Sequence, residues 1–178
     1  FMGPAHLNPA VTIAFAMIGK TPWAAVVPFI IAQMIGAFLG AVVVWIQYYP
    51  HWQATKDQAA ILGTFATGPA IRSPFANLMS ELIGTFVLIF ALLALTRGEL
   101  TAGLNPLVVG VVITAIGLSL GGTTGYAINP ARDLGPRIAH AVLPIANKGD
   151  SDWSYSWIPV VGPIIGGILG ALLFVVLP

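Results

Sequence analysis

Two short stretches decide the fold: AHLNPAV at residues 5–11 and YAINPAR at residues 126–132. Each places Asn-Pro-Ala at the head of a short apolar segment, over 9–19 and 130–143 respectively. Asn is a favoured N-cap, and Pro fits the first helical position because its missing N–H is not needed there. Neither segment is long enough to cross a bilayer core of about 30 Å. A single Asn-Pro-Ala would indicate only an ordinary helix start, whereas the pair predicts two re-entrant half-helices.

The composition around these stretches is that of a membrane protein. Of the 178 residues, 57% are hydrophobic and 7% are charged, whereas about a quarter of the residues in a soluble domain are charged. A surface that faces lipid tolerates this balance, because hydrocarbon penalises charge. The net charge of +1 and the absence of a basic run give no indication of nucleic acid, and the absence of cysteine excludes disulfides and thiolate chemistry.

Longer apolar runs predict four helices that cross the membrane, over 23–48, 75–96, 104–121 and 158–177. They are continuous and lack the strict alternation of a membrane β-barrel. A polar connection over 49–74 separates two parts of the chain. We therefore expect an all-α membrane protein with a single domain over 1–178, in which 1–48 and 75–178 each carry one Asn-Pro-Ala triplet.

Small residues four positions apart occur in three of these helices. In a membrane this spacing lets two helix backbones approach closely, although glycine is also simply common in spanning helices. We expect close packing above all at the last of the three sets, which are Gly36 with Gly40, Gly117 with Gly121, and Gly162 with Gly166 and Gly170.

Two half-helices that enter from opposite sides would meet near the midplane with their positive N-terminal ends together. Irregular backbone is tolerated at that depth only where it lines a cavity or is buried in protein. The loops before Asn8 and Asn129 would offer carbonyl acceptors, and the two Asn amides would offer N–H donors. A small polar solute could exchange its hydration for these groups, while the positive potential repels cations and protons.

On these motifs the chain resembles the aquaporin (major intrinsic protein) superfamily, which has two inverted repeats, each with three spans and an Asn-Pro-Ala half-helix. The resemblance covers essentially all 178 residues. It implies that residues 75–178 form a complete second repeat. It also implies that residues 1–48 lack two N-terminal spans, without which the pore cannot close. Selectivity in such channels depends on pore diameter, on the groups that line the pore and on electrostatic barriers.

The resemblance also assigns the site. The pore centre is expected at Asn8, Pro9, Ala10, Asn129, Pro130 and Ala131; the selectivity filter at Arg132, Gly117 and Tyr126; carbonyl acceptors at Pro4, Ala5, His6, Gly125 and Ala127; and structural support at Glu81 and Asp133. An arginine at membrane depth is costly and usually functional, and Arg132 would donate to a solute hydroxyl and repel cations. The alternative is an arginine that snorkels to the interface.

Three residues bear on the branch of the family. Asp133 directly after Arg132 is similar to the glycerol facilitators. Gly117 stands where water-selective members have histidine, and the missing imidazole would widen the constriction. Tyr126 departs from the phenylalanine that is common in facilitators, and the fourth filter residue would lie in a missing span. The preferred solute therefore stays open. Pro4 is a second departure, because the family often has glycine there.

Glu81 is the one ionisable residue inside a predicted span. Taken generically, such a residue indicates a proton relay or an ion-coupling site. The resemblance implies instead that its carboxylate accepts N–H bonds from the loop that leads into the second half-helix. The structural role is the interpretation we carry forward.

The resemblance implies a passive channel for glycerol and other small uncharged solutes with water, in a homotetramer in the plasma membrane of a bacterium. Urea, dihydroxyacetone and undissociated organic acids stay open as solutes. The alternatives are a water-selective aquaporin and, through Glu81, an ion-coupled secondary transporter. We expect no cofactor, since His51 and His140 are isolated, and an enzyme would need a nucleophile with its base or a metal cluster.

Overall fold

The computed structural model describes residues 5–98, 101 and 103–177. Within those residues the fold is entirely helical. Its helices in chain order are α1 (Pro9–Met17), α2 (Trp23–Gln47), α3 (Tyr49–Ala54), α4 (Gln58–Gly63), α5 (Pro74–Leu95), α6 (Asn105–Leu120), α7 (Pro130–Val142) and α8 (Ile158–Val176).

The two predicted half-helices form as α1, with 9 residues, and α7, with 13. The first stops at Met17, before the predicted end at 19, because Gly19 adopts a left-handed φ of 74°. The amide of Gly19 then donates to the carbonyl of Ala16, and that of Lys20 to the carbonyl of Phe15. Glycine enters this conformation at little cost, which is why helices often end beside one.

Three of the four predicted spans are helices long and apolar enough to cross a membrane: α2, α5 and α8. The fourth, α6, has 16 residues and rises about 24 Å at 1.5 Å per residue. The predicted span over 104–121 is therefore slightly too long. The helix ends at Leu120 because Gly121 and Gly122 follow it directly and start a turn.

The connection predicted over 49–74 is not a plain loop, and here the prediction is corrected. It contains α3 and α4, and Asp57 caps α4 by accepting the amides of Ala59 and Ala60 at 2.9 and 3.2 Å. The connection also carries apolar side chains that need burial. They pack in a core cluster that includes Ala41, Trp52, Ile61, Phe65, Ala139 and Ile145.

The glycine run near the C-terminus packs as predicted. A methyl group placed on Gly162 would lie 3.1 Å from the carbonyl oxygen of Leu78, and one on Gly170 would lie 2.7 Å from that of Phe86. Side chains in this stripe would therefore push α8 away from α5. The close-packing interpretation is confirmed for this run.

The pair Gly36 and Gly40 behaves differently. A methyl group on either residue would meet no atom within 4 Å among the described residues. Only Val26 and Ala41 are buried in α2. The main contact of α2 is with α7, where a methyl group on Gly135 would lie 2.7 Å from the Cβ of Ala37.

The half-helices thus have their main contacts with different long helices. α7 lies against α2, and α1 lies against α8, where Gly167 approaches the carbonyl oxygen of Ala10. A second core cluster joins α1 and α8 to α5 and α6 through residues that include Ala14, Ile89, Ile116 and Ala171. This arrangement brings the starts of α1 and α7 together.

Candidate pore site

Each half-helix is capped by the Asn of its triplet. The side-chain oxygen of Asn8 accepts the amide of Ala10 at 2.8 Å. That of Asn129 accepts the amides of Ala131 and Arg132 at 3.0 and 3.3 Å. Pro9 and Pro130 occupy the first helical positions. The helices begin as N-cap chemistry predicts, with positive ends toward each other.

The same two side chains link the half-helices reciprocally. The amide nitrogen of Asn8 donates to the carbonyl of Ile128 at 2.8 Å, and that of Asn129 donates to the carbonyl of Leu7 at 2.8 Å. A side-chain amide has two N–H donors. Each of these bonds engages one of them, so the second N–H of each amide has no partner in the part of the chain that the structure describes.

The loops before the two Asn residues adopt an unusual backbone. Leu7, Tyr126 and Ile128 have φ values of 55°, 40° and 41°, a region that residues other than glycine seldom occupy. Such strained positions persist only where their surroundings fix them. At Leu7 and Ile128 the fixing contact is the bond that each carbonyl accepts from the opposite Asn.

Two cavities meet at this junction. One has a volume of about 480 Å³ and the other of about 250 Å³. Leu7, Asn129 and Arg132 line both of them. The smaller cavity is also lined by Asn8 and Tyr126, and it therefore brings both Asn residues together with two of the three predicted filter residues, Arg132 and Tyr126.

Some predicted carbonyl positions line these cavities. Ala5 lines the larger cavity, and His6 and Ala127 line the smaller one. Gly125 is not among the lining residues of either; its amide instead donates to the carbonyl of Gly121 at 2.9 Å. Pro4 lies outside the described residues.

Of the residues predicted for the filter, Arg132 lines both cavities, whereas Gly117 lines neither. The side chain of Arg132 is exposed to both cavities. Gly117 lies under the ring of Tyr126: a methyl group there would stand 2.8 Å from the ring Cζ and 3.1 Å from the hydroxyl oxygen. The ring is thus placed where the side chain of any larger residue at 117 would lie.

Glu81 is completely buried, and its carboxylate holds the second loop. It accepts the hydroxyl of Thr124 at 2.7 Å and the amides of Ala127 and Ile128 at 3.0 and 2.7 Å. Backbone amides that would otherwise be orphaned in the membrane are satisfied in this way. This is the arrangement that the structural interpretation of Glu81 predicts.

Asp133 is also completely buried, and its partner is a residue that the sequence reasoning missed. Arg137, one turn along α7 and equally buried, donates to Asp133 at 2.8 and 3.0 Å. Its Nη2 also donates to the carbonyl of Thr67 at 2.7 Å, and its Nη1 donates to the carbonyls of Ser151 and Asp152 at 2.7 and 3.2 Å. The i, i+4 spacing of opposite charges on one helix was the available signal.

The network ties α7 to two loops, one that contains Thr67 and one that contains Ser151 and Asp152. Thr67 donates to Asp133 through its amide at 2.7 Å and its hydroxyl at 2.6 Å. At the C-terminus of α7, the ammonium of Lys148 donates to the carbonyls of His140, Ala141 and Leu143. Cations at this end offset the helix dipole, although partial burial lowers the pKa of Lys148.

The groups at this site are those of a solute pathway. They do not form a metal centre among the described residues. No three His, Cys, Asp or Glu side chains come together in the part of the chain that the structure describes. The converging groups are amide donors, strained-loop carbonyls, one guanidinium and one aromatic ring. They suit a neutral solute that carries hydroxyl groups.

Several known proteins are similar to this chain. The family model described as "Major intrinsic protein" matches residues 2–174. The chain is 71% identical over 178 residues to glycerol uptake facilitator protein 3 of Lactiplantibacillus plantarum, with 100% of this chain and 74% of the relative covered. It is 64% identical over 160 residues to the glycerol uptake facilitator protein of Bacillus subtilis, with 90% and 58% covered. An X-ray structure of the aquaglyceroporin from Plasmodium falciparum is similar with a TM-score of 0.83 at 31% identity, covering 95% of this chain and 71% of that one.

Proposed function

This chain belongs to the major intrinsic protein family, and from that premise we propose that the protein is a passive membrane channel for glycerol and other small uncharged solutes, with water. Two relatives that bear the name glycerol uptake facilitator support the proposal. The observation that carries it is the reciprocal pair of bonds from Asn8 and Asn129 beside the cavity lined by Arg132 and Tyr126.

We propose the following division of labour along the pathway. At the centre, the free N–H groups of Asn8 and Asn129 donate to the oxygen atoms of the solute. At the filter, the guanidinium of Arg132 donates to hydroxyl groups while the ring of Tyr126 contacts the carbon backbone. Donors on one side and an apolar wall on the other suit a polyol, because such a molecule has both a polar and an apolar face.

Exclusion of ions follows from the same groups. The N-termini of α1 and α7 each contribute about half a positive charge, and Arg132 adds a full one near them. A cation in the smaller cavity therefore meets positive potential without any carboxylate to offset it among the residues that line that cavity. A neutral solute does not pay this cost.

The contact between Gly117 and Tyr126 supports the glycerol branch over a water-selective channel. An imidazole at position 117 would collide with the ring where it now stands, since even a methyl group would come within 2.8 Å. A water-selective filter with histidine would therefore need another residue at 126. The residues at the two positions are matched to each other.

The wider setting is part of the proposal. We place the channel in the plasma membrane of a bacterium, because both facilitator relatives are bacterial. The family resemblance is the ground for proposing a homotetramer with one pore in each subunit. Urea, dihydroxyacetone and undissociated organic acids are further solutes of the proposed channel, because each is small and uncharged. The spans α2, α5 and α8 support a multi-pass protein.

Stopped-flow light scattering of proteoliposomes tests the function with the complete native protein. A glycerol gradient should produce rapid reswelling with weak temperature dependence, because a pore has a low barrier. Replacing Arg132 with Trp should abolish the reswelling by filling the filter. Lys20→Trp is the matched control, since Lys20 is an exposed cation in the turn after α1.

Other results would assign the protein differently. Rapid shrinkage in an osmotic gradient without glycerol uptake would identify a water-selective channel. Saturable uptake that depends on a proton or sodium gradient would identify a coupled transporter and would return Glu81 to the ion-coupling role.

A further inference from the structure

We propose that Gly121 is a positioning residue that sets the width of the filter, because its missing side chain leaves room for the ring of Tyr126 to pack against α6. This inference rests on the proposed channel function. Gly121 is no part of the predicted filter and lines neither cavity. Its effect on the solute would pass through the position of the Tyr126 ring.

The ring of Tyr126 packs against two glycines, Gly117 and Gly121, which lie one turn apart. A methyl group on Gly121 would stand 2.8 Å from the ring Cδ1, and one on Gly117 would stand 2.8 Å from Cζ. The near end of the ring therefore rests on Gly121 and the hydroxyl end on Gly117. A methyl group on Gly121 would also stand 2.3 Å from the carbonyl oxygen of Gly117, so the substitution would shift the end of α6 as well as the ring.

The backbone around Tyr126 cannot easily move to relieve such a contact. On one side, the amide of Gly125 donates to the carbonyl of Gly121 at 2.9 Å. On the other, Glu81 holds the amides of Ala127 and Ile128. Tyr126 itself has a left-handed φ of 40°, which few neighbouring conformations can replace.

The free direction for the ring is toward the solute pathway. Tyr126 is 36% exposed and lines the cavity of about 250 Å³ together with Arg132. A side chain at 121 would therefore turn the ring away from the two glycines and into that cavity. Because water is smaller than glycerol, the narrowed filter should reject glycerol first.

The experiment compares two adjacent glycines. Gly121→Ala should lower glycerol permeability of proteoliposomes by about tenfold, which corresponds to about 1.4 kcal/mol in the permeation barrier. Water permeability should fall less than glycerol permeability. Gly122→Ala is the matched control, because a methyl group there meets no atom within 4 Å.

Second substitutions separate positioning from folding. Adding Tyr126→Ala to Gly121→Ala should restore glycerol permeability, because the obstructing ring is gone. Adding Tyr126→Phe should not restore it, because the ring remains and only its hydroxyl is lost. A loss that Tyr126→Ala fails to rescue would overturn the positioning role in favour of a general defect in α6.

A spectroscopic readout makes the inference testable whichever solute the channel carries. In protein labelled with 3-fluorotyrosine, the ¹⁹F signal of Tyr126, assigned by its loss in Tyr126→Phe, should shift in Gly121→Ala and stay in place in Gly122→Ala. An unchanged signal together with glycerol permeability equal to that of Gly122→Ala would overturn the inference. Native protein that conducts no glycerol would overturn the proposed function, while the ¹⁹F shift would still decide the place of the ring.

Discussion

The half-helices α1 and α7 begin alike and are held in place differently. Both start with Asn-Pro-Ala, and the two Asn side chains bond across to each other's loops at the same distance of 2.8 Å. Beyond that start, α1 has no charged side chain, whereas α7 carries Arg132, Asp133 and Arg137. The Asn-Pro-Ala triplet therefore defines the N-cap and the bonds between the two half-helices. It does not define the anchor, by which we mean the side-chain contacts that hold each half-helix in place beyond its cap.

Positions four residues after each Asn show the contrast most directly. In α1 this residue is Thr12, whose hydroxyl accepts the side-chain amide of Gln33 at 3.0 Å and donates to the carbonyl of Asn8 at 3.1 Å. In α7 it is Asp133, which is bound by Arg137 and Thr67. A neutral anchor can lose one bond at modest cost. A buried charged anchor depends on every partner, because an unpaired charge there is expensive.

The largest predicted effect comes from breaking the charged anchor. Arg137→Met should lower the free energy of unfolding by about 3–5 kcal/mol, because it leaves the buried carboxylate of Asp133 without its cation. Thermal unfolding of the purified protein in detergent measures the loss. Lys20→Met removes an exposed cation after α1 and should change stability by less than about 0.5 kcal/mol.

A second substitution checks the reason for that loss. In the double variant Asp133→Asn with Arg137→Met, no charge remains unpaired, so the double variant should be more stable than Arg137→Met alone. A double variant that is less stable by the full sum of the single losses would show that the anchor acts through independent hydrogen bonds.

The next prediction concerns the two caps, which look symmetrical but differ in burial. Asn8→Ala should cost about 2–4 kcal/mol, since it removes an N-cap and leaves the buried carbonyl of Ile128 unsatisfied. Asn129→Ala should cost about 1 kcal/mol less, because the carbonyl that it frees belongs to Leu7, which is 68% exposed and open to water.

Unfolding temperatures of the two cap variants, measured side by side, decide the point. Equal losses would show that the crossed bonds matter equally and that the exposure of Leu7 is irrelevant. A greater loss for Asn129→Ala would contradict the argument from burial.

The sequence could predict the parts of this site that are governed by local chemistry. The two caps, the short length of α1 and α7, and the glycine stripe of α8 all follow from spacing along one segment. The role of Arg137 does not, because its partners Thr67 and Ser151 lie 70 and 14 residues away. Only the folded chain shows that these loops meet at α7.

Two further features were not predicted from the sequence, for related reasons. The helices α3 and α4 lie in a connection whose polar residues indicated a loop, and the burial of Trp52 and Ile61 against α2 and α7 stabilises them. The spacing of Gly117 and Gly121 predicted an approach of another helix. What approaches instead is the ring of Tyr126 from a loop, which helical periodicity cannot reveal.

A smaller effect is expected from the neutral anchor of α1. Thr12→Val should cost about 1–2 kcal/mol, because it keeps the volume but leaves the amide of Gln33 without its acceptor. Thr114→Val is the control: the hydroxyl of Thr114 bonds within α6 to Gly110 and is exposed. A loss for Thr12→Val as large as that for Arg137→Met would remove the distinction between the two anchors.

The smallest effect is expected at the outer edge of the charged anchor, where Asp152 pairs with Arg72. Although partial burial opposes ionisation, hydrogen bonds from Arg72 and Ser154 hold the pKa of Asp152 below its usual value. A depressed pKa adds stability above the unfolded value of about 3.9, and this stability is lost as the pH falls through the folded value. Asp152→Asn should therefore cost less than about 1 kcal/mol at pH 7, and Asn tolerates the left-handed φ of 50° there. In unfolding scans between pH 7 and pH 3, the gap between native protein and variant should close at the acid end. A gap that stays constant with pH would mean that the pair contributes hydrogen bonds but no charge interaction, and that the charged anchor of α7 ends at Arg137.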